Sequence, residues 1–309
     1  MKNIVINGFK KGFSVTYTLS KVIFPITVLI TILRFTPVLS YVIDLISPLM
    51  GLIGLPGEAS LPLVLGSTLN LYAGIAAIIS FSFTVKEVFI LAVMLSFAHN
   101  LIIESTVAAK VGVRWQVVVG VRLALSLMSA VLIHWFVPLS EANAEYGYSV
   151  NETVVPAGWI EIITQAIITA LSSIGQLAMI VIPLMVVMQL FRDLGWLDML
   201  SEGLSPFMRV LGIKNNAAMT LVAGLTIGLA FGAGVMVQAV KDDHVEKKDM
   251  YLSLIFLVSC HAVIEDTLIF IPLGIPVWPL LLIRLTTAIV LTRVVSYFWL
   301  KQDRKQLTT

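Results

Sequence analysis

SPLMGLIGLPGEASLPLVLG, residues 47–66, reads as a short apolar helix, a break rich in glycine and proline, and a second apolar stretch. The chain writes it again as SPFMRVLGIKNNAAMTLVAG, residues 205–224. Ser47, Pro48, Met50, Gly54 and Gly66 stand 158 residues before Ser205, Pro206, Met208, Gly212 and Gly224. Pro25, Arg34 and Asp44 keep the same distance from Pro183, Arg192 and Glu202. Farther on the offset becomes 162, which pairs His99 with His261 and Arg122 with Arg284. The polar segment 238–250, longer than its counterpart at 83–87, absorbs the change. The chain is a duplication: residues 8–137 form one unit and 158–301 the other, with a polar linker over 138–157 and a tail over 302–309.

Of 309 residues, 58% are hydrophobic and 12% charged, and the mean hydropathy is +0.98. Soluble domains carry about 25% charged residues. Uncharged runs of 27, 30 and 26 residues follow Glu58, Glu161 and Lys214, and about 20 apolar residues suffice for a helix to cross a bilayer. The fold class is all-α polytopic membrane protein. The net charge of +2 is dispersed over loops and tails, so no patch suits nucleic acid. One cysteine, Cys260, excludes an intrachain disulfide and a multi-cysteine metal site. The basic N-terminus reads as the cytoplasmic flank of a retained first helix.

Each unit predicts a long first helix (about 13–34 and 162–191), a short amphipathic piece, a break, a Gly-interrupted apolar piece, and two more helices (about 86–107 and 115–136; 249–271 and 277–300). If the broken piece is a full span, each unit crosses four times. If it is a re-entrant hairpin, each crosses three times and the second unit is inverted. Short cytoplasmic loops concentrate Lys and Arg. The hairpin arrangement puts Lys110, Arg114, Arg192, Lys241, Lys247, Lys248 and both termini inside, and the linker with its three glutamates and no Lys or Arg outside; Lys86 and Arg34 fit it less well. The expectation is two inverted repeats, each of three transmembrane helices plus a re-entrant hairpin, in the plasma (inner) membrane with both termini cytoplasmic.

Inverted repeats with broken helices are the plan of secondary transporters, because bare backbone at membrane depth is tolerated only where it is buried in protein or lines a cavity. In the first break Glu58 and Ser60 can reach a polar solute, although Glu58 reads equally as a carboxylate favoured by a helix start. Asn215 and Asn216 occupy the second break, and Asn70 lies in the arm beyond the first. Gly224, Gly228, Gly232 and Gly234 have the spacing of close helix packing.

GLPGEASLPL, together with a histidine in the next helix and an arginine in the last, resembles the nucleoside-recognition, or gate, domains. These occur in concentrative nucleoside transporters, in the membrane part of ferrous iron transporter B and in spore maturation proteins. The resemblance implies a nucleoside contact for Glu58. The second break has Asn215 and Asn216 in place of a matching carboxylate, and only Cys260 stands where iron-transporter gates carry cysteine.

SFAHNLIIEST (96–106) and SCHAVIEDT (259–267) set ionisable groups inside apolar helices, where each costs a few kcal/mol. His261 and Glu265, four apart, share a helix face. His99 and Glu104 are five apart, which predicts a π-bulge or unwinding at Asn100. Asp266 adds a carboxylate in the second unit alone. His99, Glu104, Cys260, His261, Glu265 and Asp266 are candidates for a coupling ion or metal, Na+, H+ and a divalent metal all remaining open. Arg122 and Arg284 are their structural ion-pair partners. Asn100 joins Glu58, Ser60, Asn70, Asn215 and Asn216 as a candidate solute contact.

The sequence reads as a transporter that moves a small polar solute, a nucleoside among the candidates, by alternating access with ion coupling. A divalent metal-ion permease and a non-transporting scaffold or assembly protein are the alternatives. No nucleophile–base pattern or P-loop is present, so the chain is not expected to be an enzyme or to hold a resident cofactor. Its expected partners are the lipid bilayer and a small solute or ion, with a homo-oligomer left open.

Overall fold

A computed structural model of the chain describes residues 2–145, 158–196, 199, 203, 207–208, 210–229, 236–237 and 245–306. These residues are helical almost throughout. Helix α1 spans Lys2–Arg34, α2 Pro37–Gly51, α3 Ser60–Thr68, α4 Leu71–Ile79, α5 Val85–Ala98, α6 Leu101–Lys110 and α7 Trp115–Phe136. The second unit supplies α8 (Trp159–Asp193), α9 (Ala218–Ile227), α10 (Lys247–Ser259), α11 (Glu265–Leu268) and α12 (Val277–Gln306). No strand is present among the described residues, only an isolated antiparallel bridge between Thr84 and Asn143. Through it the first part of the linker docks on the start of α5, where Lys86 pairs with Glu141 at 2.9 Å. The rest of the linker, 146–157, lies outside the described residues, as do Gly232, Gly234 and Lys241.

Among the described residues four helical segments are long and apolar enough to cross a bilayer: Val85–Lys110, Trp115–Phe136, Trp159–Val187 and Val277–Lys301. The bent pair Ile4–Thr18 and Ile23–Leu33 makes a fifth. α7 and α12 turn large apolar side chains such as Trp135, Phe136, Trp278 and Phe298 outward, as lipid-facing helices do, whereas α5 is buried along most of its length.

The sequence places the fold-back of the first unit at GLPGEAS; the structure places it later. Residues 52–56 end α2 in a turn where Gly54 adopts φ +73°, the Leu55 N–H reaches the Met50 carbonyl and the Gly54 N–H the Gly51 carbonyl. That is a glycine-terminated helix end. Gly212 repeats it at φ +76° with Ile213 bonded to Met208. The reversal itself lies at Leu69–Asn70, where α4 doubles back on α3, and the Asn70 side chain accepts from the Ala73 N–H. The two arms meet at glycines: a Cβ on Gly74 would stand 3.0 Å from the Gly66 Cα. Each arm has nine residues, roughly 13 Å of helix, less than half the apolar thickness of a bilayer.

The helix after the hairpin is interrupted in both units, as expected in the first and against expectation in the second. The first is interrupted at His99–Asn100: the chain is extended at His99 and left-handed at Asn100, with φ 52°. It is an unwinding rather than a π-bulge. The second, expected as one helix over 249–271, ends at Ser259, runs irregularly through Ala262 (φ 40°) and resumes at Glu265. The exposed backbone is satisfied in the same way twice. The Asn100 N–H donates to the Gly66 carbonyl and the Ala262 N–H to the Gly224 carbonyl.

Among the described residues two large apolar cores result, beside a small one of Ile23, Ala76, Leu177 and Val181. One gathers α3, α4 and α5 with Ile269, Phe270 and Leu273 from the second unit. The other gathers α9 and α10 with Ala108, Val111 and Val118 from the first. Each unit thus sends the stretch beyond its break into the other's core. At the start of α10, outside the spans, Lys214 donates to Glu246; this hydrogen bond raises the ammonium pKa and lowers the carboxyl. α1 packs antiparallel on α8, with Gly8 against Val186 and Gly12 against Ile182.

The Gly12 contact is testable. A Cβ there would sit 2.8 Å from the Ile182 Cα, so Gly12→Leu should cost roughly 1–3 kcal/mol of overpacking and lower the unfolding temperature in detergent. At Gly120 a Cβ would meet nothing within 4 Å, so alanine should be accepted there without loss. Equal unfolding temperatures for G12L and G120A would contradict the described crossing.

Candidate functional site

The breaks bring their histidines face to face. Nδ1 of His99 lies 2.7 Å from the Leu95 carbonyl oxygen, and Nδ1 of His261 lies 2.8 Å from that of Leu257. A carbonyl can only accept, so each Nδ1 carries a hydrogen, and in the neutral ring each Nε2 keeps its lone pair. The two Nε2 atoms are 3.2 Å apart. Glu104 Oε1 stands 3.5 Å from the His99 Nε2 and 3.3 Å from that of His261. Asp266 Oδ2 follows at 3.9 and 3.7 Å. All four residues are buried.

Behind this cluster sit two fully buried arginines. Arg122 donates Nε to the Phe97 carbonyl at 2.6 Å, Nη2 to the His99 carbonyl at 2.7 Å and Nη1 to Glu104. Arg284 donates Nη2 to the His261 carbonyl at 2.7 Å and to Asp266 at 2.9 Å. Each guanidinium therefore caps the carbonyl freed by a break and holds the carboxylate five residues beyond the histidine. Arg284 is the less satisfied, with Nε and Nη1 lacking partners among the described residues.

This corrects the reading of SCHAVIEDT. His261 and Glu265 do not share a face of one helix, because His261 lies in the break. The counterpart of Glu104 is Asp266, at the 162-residue offset already carried by the histidines and arginines. The spacing is five in both units, and Asp266 is no addition. Glu265, whose counterpart is Ile103, accepts instead from the Tyr72 hydroxyl of α4.

The cluster lines a cavity of about 550 Å³. Its wall is drawn in pairs from the two units: Asn70 and Gly228, His99 and His261, Glu104 and Asp266. Asn100, Tyr72 and Glu265 also face it, and Ser14 and Thr18 of α1 close one side. Asn100 Oδ1 is a buried acceptor with no partner among the described residues. Of the residues singled out from sequence, seven are thereby brought together: Asn70, His99, Asn100, Glu104, His261, Glu265 and Asp266. Arg122 and Arg284 stand directly behind. Cys260 is buried beside His261 without lining the cavity. Glu58, Ser60 and Asn216 are not among its lining residues either; Ser60 Oγ donates to the Gly57 carbonyl at 2.7 Å. Asn215 begins a short 3-10 turn, and its side chain lies outside the described set. Gly224 packs on Leu257, whereas Gly228, expected to serve packing, faces the cavity. Tyr72 gives no sign of its place in the sequence, since one tyrosine in an apolar arm carries no spacing signal.

Compared with known proteins, the chain matches the family model "Gate: Nucleoside recognition" over residues 16–114 and 174–275, one stretch in each unit. It is also similar to "Uncharacterized membrane protein YvoD" of Bacillus subtilis (strain 168), 56% identical over 301 residues that cover 97% of this chain and 96% of that protein. No solved structure matches at a significant level.

The arginines yield a stability prediction. Arg122→Leu leaves the Glu104 carboxylate and two break carbonyls buried without their donor, a loss of roughly 3–5 kcal/mol. The R122L/E104L pair should cost less than the two single changes summed, because the partners are coupled. Arg284→Leu, which removes fewer hydrogen bonds, should cost less than Arg122→Leu. Thermal unfolding of purified protein measures all four, and R122L unfolding like wild type would refute the capping role.

Proposed function

The chain belongs to the Gate, nucleoside-recognition family of membrane proteins, and from that premise we propose that it is a transporter moving a small polar solute by alternating access. The observation that carries the reading is the cavity of about 550 Å³ lined by equivalent residues of both units at the points where their helices break. Ligand pockets commonly measure about 300–1,000 Å³ and combine apolar walls with a few placed polar groups. Apolar walls here accompany the amides of Asn70 and Asn100, the Tyr72 hydroxyl and the carboxylates. The unpartnered Asn100 Oδ1 offers an acceptor to a hydroxyl or amino group. A nucleoside fits this donor and acceptor set, and the family description favours testing that class first.

In this reading the units are inverted repeats related by a two-fold axis near the histidine pair, and α3–α4 is a re-entrant hairpin. Three features support it: the antiparallel packing of α1 on α8, the short arms of α3 and α4, and the face-to-face approach of His99 and His261. Rocking of one repeat against the other would open the cavity to either side. A cation coupled to transport would enter at the carboxylates. Both termini are cytoplasmic and the linker is outside, in the plasma membrane.

Purified protein in proteoliposomes should take up labelled nucleosides under an imposed cation gradient, and Asn100→Ala should slow uptake at least about tenfold, on the order of one lost buried hydrogen bond to the solute. Neither uptake nor solute binding by well-folded wild type, across nucleosides and other small polar solutes, would leave the scaffold reading standing instead. Topology is checked separately. In a Cys260→Ala background, Ser149→Cys should react with a membrane-impermeant maleimide in intact cells, while Thr308→Cys should react only after lysis; the reverse pattern would overturn the orientation.

A further inference from the structure

With both imidazoles neutral, two ring nitrogens and one oxygen each of Glu104 and Asp266 gather as acceptors at one buried place on the cavity wall. Both Nδ1 atoms are committed to backbone carbonyls, so both Nε2 lone pairs are directed inward and lie 3.2 Å apart. Glu104 Oε1 is 3.5 and 3.3 Å from them, and its other oxygen is held by Arg122. Lone pairs this close repel one another in a low-dielectric interior unless a proton or a metal ion lies among them. Charge agrees: Glu104, Glu265 and Asp266 against Arg122 and Arg284 leave one negative charge around neutral imidazoles.

The distances select the kind of cation. Ligand atoms about 2.0–2.1 Å from a tetrahedral metal ion lie roughly 3.3–3.4 Å from one another, and the three shortest separations here are 3.2, 3.3 and 3.5 Å. Asp266 Oδ2, at 3.7 and 3.9 Å from the imidazoles, stands slightly wide, as a fourth or exchangeable ligand would. Imidazole suits zinc, copper, nickel and iron, whereas calcium and magnesium take oxygen. The surroundings hold these ligands in place: carbonyls fix both ring tautomers, and arginines orient both carboxylates. We infer that His99, His261 and Glu104, with Asp266 beside them, form a binding site for one divalent first-row transition-metal ion, bridging the two units at the cavity wall.

Metal binding is distinct from transport and can be measured without it. Full-length wild type in detergent, stripped with chelator, should bind one Co2+ per chain with the visible bands of tetrahedral cobalt, and Zn2+ should displace it. Zinc should also raise the unfolding temperature. His99→Gln and His261→Gln should each weaken binding roughly 100-fold or more, since losing even a group that only orients a ligand costs about 10–100-fold; Gly120→Ala, away from the cavity, should not weaken it. Because a glutamine variant can misfold, X-ray absorption on the wild-type zinc complex gives an independent answer, with scattering from two imidazoles expected. Absence of cobalt binding by folded wild type, a zinc site showing sulfur or only oxygen, or folded H99Q and H261Q binding at wild-type strength would each overturn the site. Metal binding with no solute uptake would fail the transport reading alone, and uptake without metal binding would fail this one alone.

Discussion

A helix that breaks at membrane depth strands backbone carbonyls, and everything at this site depends on what satisfies them. Water is scarce there and an unpaired backbone group costs several kcal/mol. Arg122 and Arg284 answer that need from the following helix, each donating to the carbonyl of the histidine in the break. The same guanidinium reaches the carboxylate of the resumed helix. One long side chain thus stabilises the interruption, holds an acid in place and leaves the imidazole ring turned toward its counterpart. Leucine in either position would remove all three at once.

The breaks also join each unit to itself and to the other. Asn100 and Ala262 hand their N–H groups to the carbonyls of Gly66 and Gly224, where glycine keeps the crossing helices close. Beyond the break the chain enters the neighbouring core: Ala108 and Val111 pack among residues of the second unit, and Ile269 to Leu273 among those of the first. The cavity consequently has no owner. Both copies of the duplicated sequence contribute to its wall, which is why the paired residues of the motif meet although 162 positions separate them.

Much of this is legible in the sequence. The duplication, the membrane class, the interruption at Asn100 and the pairing of the arginines with acids follow from offsets and hydropathy alone. The fold-back at Asn70 does not, because GLPGEAS carries more breaker residues than GSTLN and so draws the expected break toward itself; its glycine in fact ends α2. The second interruption is hidden because HAVIEDT has an innocent four-residue histidine–glutamate spacing, although the 162-residue offset that pairs the histidines and arginines also assigns Asp266 to Glu104. Which of the polar groups share a cavity is a long-range property. Glu58 and Tyr72 show this from opposite sides, one conspicuous in sequence and away from the wall, the other plain and on it.

Asn100 and Ala262 both hold positive φ without being glycine, a conformation that costs on the order of 1–3 kcal/mol and persists only where its surroundings impose it. On an uninterrupted helix, residues five apart are turned about 140° from each other. His99 and Glu104, or His261 and Asp266, would then look in different directions. The contact between each ring and its acid therefore exists only while the backbone stays wound the wrong way. Rewinding either break would dissolve the cluster and turn one carboxylate out of register with the other unit, so the cluster and the irregular backbone stand or fall together.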